Sequence, residues 1–145
     1  MAQVPRLIPD VNVLLSGITS RHGPARELYL AAKRFDVMFV LCPQHFEELQ
    51  RVLTYAQVLA LGGGISPSDA FGLAFELLQM SEFVQQVKAY DWPSCPDPKD
   101  WYLLSLLLTA DADAIVTKDN HLLRLKNDLG LPVYEPKELM QFGIL

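Results

Sequence analysis

The run Val37-Met38-Phe39-Val40-Leu41 is apolar throughout and is stopped by Pro43. A strand with one face in water alternates apolar and polar residues, so a short run without alternation reads as a strand covered on both faces, as in a parallel sheet. The rest of the chain repeats this grammar. Leu7-Ile8 leads as a strand into the turn Pro9-Asp10, and Asn12-Val13-Leu14-Leu15 starts a helix. Pro24 opens a helix to Arg34 with Ala25, Leu28, Ala31 and Ala32 on one face. A helix from about Gln44 to Leu53 follows the Val37 run, and Gly62-Gly63-Gly64 breaks the middle of the chain. Ser66-Pro67-Ser68-Asp69 reads as a capped start for a helix through about Gln79, and Ser81 to Val87 as a short strand. Asp97-Pro98-Lys99-Asp100 opens another helix, whose Trp101, Leu103, Leu104, Leu106, Leu107 and Leu108 surround the axis and predict burial. Ala114-Ile115-Val116-Thr117 and Val133-Tyr134 read as the last strands, and Pro136 to Phe142 as a closing helix. Strands alternating with helices predict an α/β three-layer sandwich around a central, mostly parallel sheet of about five strands.

With 145 residues, half of them hydrophobic and a fifth charged, the chain is expected to form one domain spanning residues 1–145. Its longest apolar run, Val37 to Cys42, is far below the ~20 residues of a membrane helix, and no basic-then-apolar leader opens it. The expectation is a soluble protein of the cytoplasm with no membrane partner. Cys42 and Cys95 fit neither a disulfide scaffold nor a zinc knuckle and are expected to be reduced. Twelve basic against seventeen acidic residues give a net charge of -5, which excludes grip on nucleic acid by bulk electrostatics. A polyanionic substrate would need local help, and the acidic excess becomes informative if carboxylates converge.

Ligands of an open parallel sheet bind beyond the carboxyl ends of its strands. Asp10 follows the first strand and Asp119 follows Ala114 to Thr117, so both belong on that edge, although each is also an ordinary turn or cap residue. Asp111 and Asp113 precede the strand that Asp119 follows and belong to the opposite edge. Asp97 and Asp100 form the Asp-Pro-x-Asp start of a capped helix, a structural role that can coexist with a place at the sheet edge. In the helix after Pro43, Phe46, Leu49, Val52 and Leu53 define the buried face, which Glu48 flanks. Glu47 points further out, with Arg51 four residues on as a solvated partner.

Other chemistries lack their residues. His22, His45 and His121 are scattered, without zinc spacing, and read as solvated or core-edge residues, with His121 notable only as a neighbour of Asp119. There is no Gly-x-Ser-x-Gly elbow, and the glycines form no phosphate-cradling loop. If Asp10, Glu48, Asp100 and Asp119 converge, two carboxylates 4 Å apart repel by ~4 kcal/mol at an effective dielectric of 20. A divalent cation relieves that repulsion, and all-oxygen ligation suits Mg²⁺ or Mn²⁺, ions that act on phosphates.

Taken in order, Ile8-Pro9-Asp10-Val11-Asn12-Val13-Leu14-Leu15, Glu48-Leu49-Gln50-Arg51-Val52-Leu53, Asp97-Pro98-Lys99-Asp100 and Ile115-Val116-Thr117-Lys118-Asp119 resemble a PIN domain. The resemblance runs over nearly the whole chain and is strongest to the VapC-like nucleases, toxin components of toxin–antitoxin pairs. It implies a Mg²⁺- or Mn²⁺-dependent endoribonuclease acting on single-stranded RNA, with a homodimeric state and a small antitoxin protein as inhibitor. Carried over by position, Asp10, Glu48, Asp100 and Asp119 match the family's catalytic acids, with Asp10, Asp100 and Asp119 as metal ligands. Glu48 completes the shell or orients the water. Asn12 and Thr117 match supporting polar residues, and Asp97 matches a frequent extra acid that helix capping explains equally well. Lys118 stands where a small residue is common, and His121 where a further acid often follows. Arg21, Arg26, Arg51 and Lys99 lie near these elements in sequence, which singles out none of them as a phosphate contact. Two alternatives remain at this level: a catalytically weak or silent protein-interaction module on the same scaffold, and a metal phosphoesterase acting on DNA or small phosphates.

Overall fold

A computed structural model describes residues 3–59, 67–141 and 143. In chain order its elements are β1 (Arg6–Pro9), α1 (Val11–Thr19), α2 (Pro24–Lys33), β2 (Met38–Leu41), α3 (Pro43–Leu59), α4 (Pro67–Met80) and β3 (Ser81–Phe83). A 3₁₀ turn (Pro98–Asp100) then leads into α5 (Trp101–Ala110), β4 (Ala114–Val116), α6 (Asn120–Leu123), α7 (Leu125–Asp128), β5 (Val133–Tyr134) and α8 (Pro136–Gln141). The strands form one sheet in the order β3-β2-β1-β4-β5, and every pairing is parallel.

The two-residue period of a strand explains why these runs carry no polar alternation. Leu7, Phe39, Leu41, Ala114 and Val116 point to one face of the sheet, where they join Val13 and Leu14 of α1, Leu28 and Ala32 of α2, Leu49 of α3, Leu77 of α4 and Leu139 of α8. Ile8, Val40, Ile115 and Val133 point to the other, against Leu103, Leu104, Leu106 and Leu107 of α5, Leu122 of α6 and Leu125 of α7. Each fully buried side chain of this kind contributes roughly 1.5–3 kcal/mol relative to exposure, so both faces of the sheet demand apolar residues. The expected α/β sandwich with its five-stranded sheet is the observed fold.

Several local expectations change. The strand read as Ser81 to Val87 ends at Phe83, because β3 is an edge strand with only β2 beside it. The chain beyond it turns across α5: the Lys88 amide donates to Thr109 Oγ1, and the Tyr90 amide and the Trp92 indole both donate to Ser105 Oγ. Leu108 is 49% exposed, so α5 is covered on most of its surface and not all round. α3 extends past Leu53 to Leu59. Gly62-Gly63-Gly64, Ser66 and Phe142 lie outside the described residues. α6 and α7, two four-residue helices, stand where no element was expected. Among the described residues no helix is long and apolar enough to cross a membrane.

Candidate active site

The chain leaves β1 toward β2 on one side and reaches β4 on the other, so the strand order reverses between β1 and β4. At such a reversal the connections leave the sheet in opposite directions and open a crevice at its carboxyl edge. Asp10 and Thr117 are the first residues past those two strands. The Asp10 amide donates to the Val116 carbonyl at 2.8 Å, which extends the β1–β4 pairing to the rim.

Thr117, fully buried, donates its hydroxyl to Asp10 Oδ2 at 2.9 Å and accepts the Asp119 amide on the same oxygen at 3.0 Å. One hydroxyl thus fixes a carboxylate of β1 and the backbone of the next acid after β4. Burial pushes the Asp10 carboxyl above the usual range, against the opposing pull of the Thr117 bond. The amides of Asn12 and Val11 also favour its ionised form, while the Asp119 charge disfavours it. Asn12 is exposed and acts on Asp10 through its main chain.

Asp100 ends the 3₁₀ turn and immediately precedes α5. Its carboxyl is pushed up to about 6, first by burial and then by the charges of Asp10, Asp119, Asp97 and Glu48. Four acids from four separate segments therefore act on Asp100. Asp97 accepts the Lys99 amide at 3.0 Å and Asp119 accepts the His121 amide at 2.9 Å, so both also carry the capping roles that their sequence context suggested. Asp111 and Asp113 lie at the opposite edge, where Asp113 accepts the Arg6 amide at 2.7 Å.

Glu48 corrects one expectation. Arg51 pairs with Glu48 rather than with Glu47: Nε donates to Oε2 at 3.2 Å and Nη2 donates to Oε1. On a helix both i,i+3 and i,i+4 partners are within reach. Glu48 flanks the buried face and its charge reaches Asp100, whereas Glu47 is exposed.

Two neighbours were not legible in the sequence. His45 is 1% exposed; its Nε2 lies 2.9 Å from the Pro9 carbonyl and its Nδ1 accepts the Cys42 amide at 3.1 Å. These partners require the neutral ring with its proton on Nε2, and burial lowers its pKa to about 4. Its ring meets Tyr102 edge-on, with centroids 5.2 Å apart. Tyr102 is held well above the usual phenol range by burial, then by the charges of Asp10, Cys42, Glu48 and Asp100. His45 therefore ties the ends of β1 and β2 to the first turn of α5. The only sequence signal was a histidine and a tyrosine near candidate acids, because the partners are far away along the chain.

Among the described residues, no three His, Cys, Asp or Glu side chains are already gathered as a group that could hold a metal ion. The carboxylates are within electrostatic reach of one another but are not drawn into a coordination shell. Mutual repulsion and the bonds to Arg51, Lys99 and His121 account for that spread. In chemistry, the oxygen-only donor set fits Mg²⁺ or Mn²⁺ better than zinc.

A parallel α/β sheet with carboxylates converging on its reversal point defines a class of protein that the comparisons identify. The family model described as PIN domain matches residues 6–121, which takes in all five acids, and the chain belongs to the PIN domain family. Members of that family are generally nucleases that use divalent metal ions. The fold is similar to a chain in the crystal structure of VapBC2 from Rickettsia felis bound to a DNA fragment from their promoter. The TM-score is 0.54 and the identity 13%, over 90% of this chain and 97% of that one, a likeness of fold. No curated protein matches the chain significantly in sequence.

Proposed function

We propose that the chain is a single-domain, divalent-metal-dependent endoribonuclease that cleaves phosphodiester bonds of single-stranded RNA. The observation that supports this reading is the placement of Asp10 and Asp119 just past β1 and β4 at the reversal of a PIN-family sheet, with the charges of Asp10, Asp119, Asp97 and Glu48 all reaching Asp100. Such a group is unfavourable by itself, since bringing like charges together costs free energy unless a cation neutralises them. Asp10, Asp100 and Asp119 would hold Mg²⁺ or Mn²⁺, which when bound supplies an activated water and charge stabilisation for the leaving oxygen.

The protein's own groups have narrower tasks. Thr117 holds Asp10 by Oδ2. Asp119 is held at both ends, its amide on Thr117 and its carboxylate on the His121 amide. Glu48 has its side chain tied to an exposed partner, Arg51, and it is assigned to complete the shell or orient the attacking water. Asp97 serves the helix start and adds to the field at Asp100.

The likeness to a chain of VapBC2 supports a place as the toxin of a toxin–antitoxin pair with a small antitoxin protein as partner; a homodimeric state and action in the cytoplasm belong to the same proposal and rest on the family resemblance alone. The test is cleavage of single-stranded RNA, single-stranded DNA and a generic phosphate ester by homogeneous protein with Mg²⁺ or Mn²⁺ and with chelator. Metal-dependent cleavage of RNA, abolished in a folded Asp10→Asn variant, is expected. Preference for DNA or for the ester would replace the RNA assignment, and an unchanged rate in Asp10→Asn would end the site assignment.

A further inference from the structure

Among the described residues, Glu48 is the one proposed site acid paired with a cationic side chain, and that cation is exposed. Arg51 meets both carboxylate oxygens of Glu48 through Nε and Nη2. Its side chain is 65% exposed while that of Glu48 is 35% exposed, so the guanidinium lies outside the carboxylate, between it and solvent. The charge of Glu48 in turn reaches Asp100 and Tyr102 on α5. The pair therefore sits at the mouth of the acid group. An exposed ion pair of this kind is weakly held, because solvent competes for both partners.

We propose that Arg51 is a displaceable counter-ion of the site and a substrate contact. It neutralises Glu48 while no divalent cation is present. When a cation takes over the acids, Arg51 is released and its planar fork of donors is free for a phosphate of the incoming nucleic acid. This rests on the nuclease reading and on Glu48 as a member of the site. The chemistry favours the exchange in both directions: a divalent cation is the stronger counter-ion for clustered carboxylates, and a guanidinium matches two phosphate oxygens as well as it matches two carboxylate oxygens. It also gives a locally basic element to a chain whose net charge of -5 opposes a polyanion. Among the basic residues near the acids in sequence, Arg51 is set apart by this contact.

The test needs no substrate in its first part. Mn²⁺ alone is titrated by calorimetry into wild type, R51Q, E48Q and E48Q/R51Q, with a thermal melt confirming that each is folded. R51Q removes the competitor for Glu48, and Mn²⁺ binding is expected to tighten by roughly two- to fivefold, the scale of one exposed, solvent-screened ion pair. A purely structural helix pair would lower the melting temperature of R51Q and leave Mn²⁺ affinity unchanged. The gain is expected to shrink in the E48Q background, where nothing remains to be released. Equal or weaker binding by R51Q, with E48Q weakened, overturns the counter-ion role and leaves Glu48 in the site. Unchanged binding by E48Q removes Glu48 from the site, and this inference falls with it. The second part uses steady-state cleavage of a single-stranded RNA oligonucleotide. R51Q is expected to raise KM more than it lowers kcat, with R51K recovering part of the loss. An unchanged KM overturns the phosphate contact.

Discussion

Thr117 and Asp10 lie 107 positions apart in sequence and are joined by a 2.9 Å hydrogen bond at the adjoining carboxyl ends of β4 and β1. The same hydroxyl oxygen receives the Asp119 amide. A bond to a charged group inside a protein contributes roughly 1.5–3 kcal/mol. Thr117→Val keeps the shape and removes both bonds, so it is expected to destabilise the fold by about that amount and to weaken Mn²⁺-dependent stabilisation several-fold. Thr117→Ser keeps the hydroxyl and should restore metal binding. Thermal melts across a Mn²⁺ series distinguish the two.

Asp100 gives a pH dependence of defined sign. The native carboxyl keeps its proton up to about 6, whereas the reference value is 3.8, so the native state binds more protons within that window. Stability contributed by this group therefore falls as pH rises from about 4 to about 6 and stays low above. Asp100→Asn should flatten that fall. In metal-free protein at neutral pH it should raise the melting temperature by roughly 2–4 °C, the equivalent of about 1 kcal/mol after screening by solvent. The same variant should lose most of the stabilisation by Mn²⁺.

His45 acts with the opposite sign. An unfolded histidine takes up its proton near 6.5 and the buried one only near 4, so stability present above 6.5 is lost as pH falls through that interval. His45→Phe fills the space but leaves the Cys42 amide and the Pro9 carbonyl without their partner. Two buried polar groups orphaned at roughly 1–3 kcal/mol each predict a loss of about 2–6 kcal/mol. Urea unfolding at pH 7 and pH 5 should show the smaller difference between the two pH values in the variant.

Gly17 supplies a variant remote from the acids. A Cβ there would stand 2.7 Å from the Ala25 carbonyl oxygen and 2.9 Å from Tyr29 Cβ, so α1 and α2 pack through the missing side chain. Gly17→Ala is expected to cost roughly 1–3 kcal/mol from overpacking. Mn²⁺ affinity measured well below its melting temperature should stay at the wild-type value.

The architecture was legible because burial on both faces leaves a plain mark: Val37 to Leu41 and Ala114 to Val116 contain no polar residue, and the cap at Asp97 and the first-turn proline at Pro24 mark helix starts. Elements without periodicity left no such mark. α6 and α7 are single turns, capped by Asp119 and by backbone alone, too short for a 3.6-residue pattern to declare itself. At the site, strand order carried Asp10 and Asp119 to one edge, since a residue just past a parallel strand has little choice of location. The partner of Arg51 was different. Glu47 and Glu48 are both within its reach, and the choice depends on which way α3 faces the acids. His45 and Tyr102 were hidden for a related reason, as the groups that define them come from β1 and β2.

The reversal of strand order between β1 and β4 also sets how the site relates to the motions of the molecule. Asp10 and Thr117 hang from the two innermost strands, and their amides are bonded across the sheet to Val116 and Tyr134. Opening the Asp10 bond means parting Leu7 and Ile8 from Ile115 and Val116, which both layers of helices cover. Local excursions at the edges, where β3 and β5 each have a single neighbour, leave the Asp10 bond intact, whereas the Thr117 bond opens with β5. The amide hydrogen at Asp10 should therefore exchange with deuterated solvent only through global unfolding, while that of Thr117, bonded to β5, and those of the outer strands exchange sooner. The Asp10 carboxylate is thus mounted on the slowest-breathing part of the protein, and the adjustment catalysis needs falls to the acids carried by α3, the 3₁₀ turn and the segment after β4.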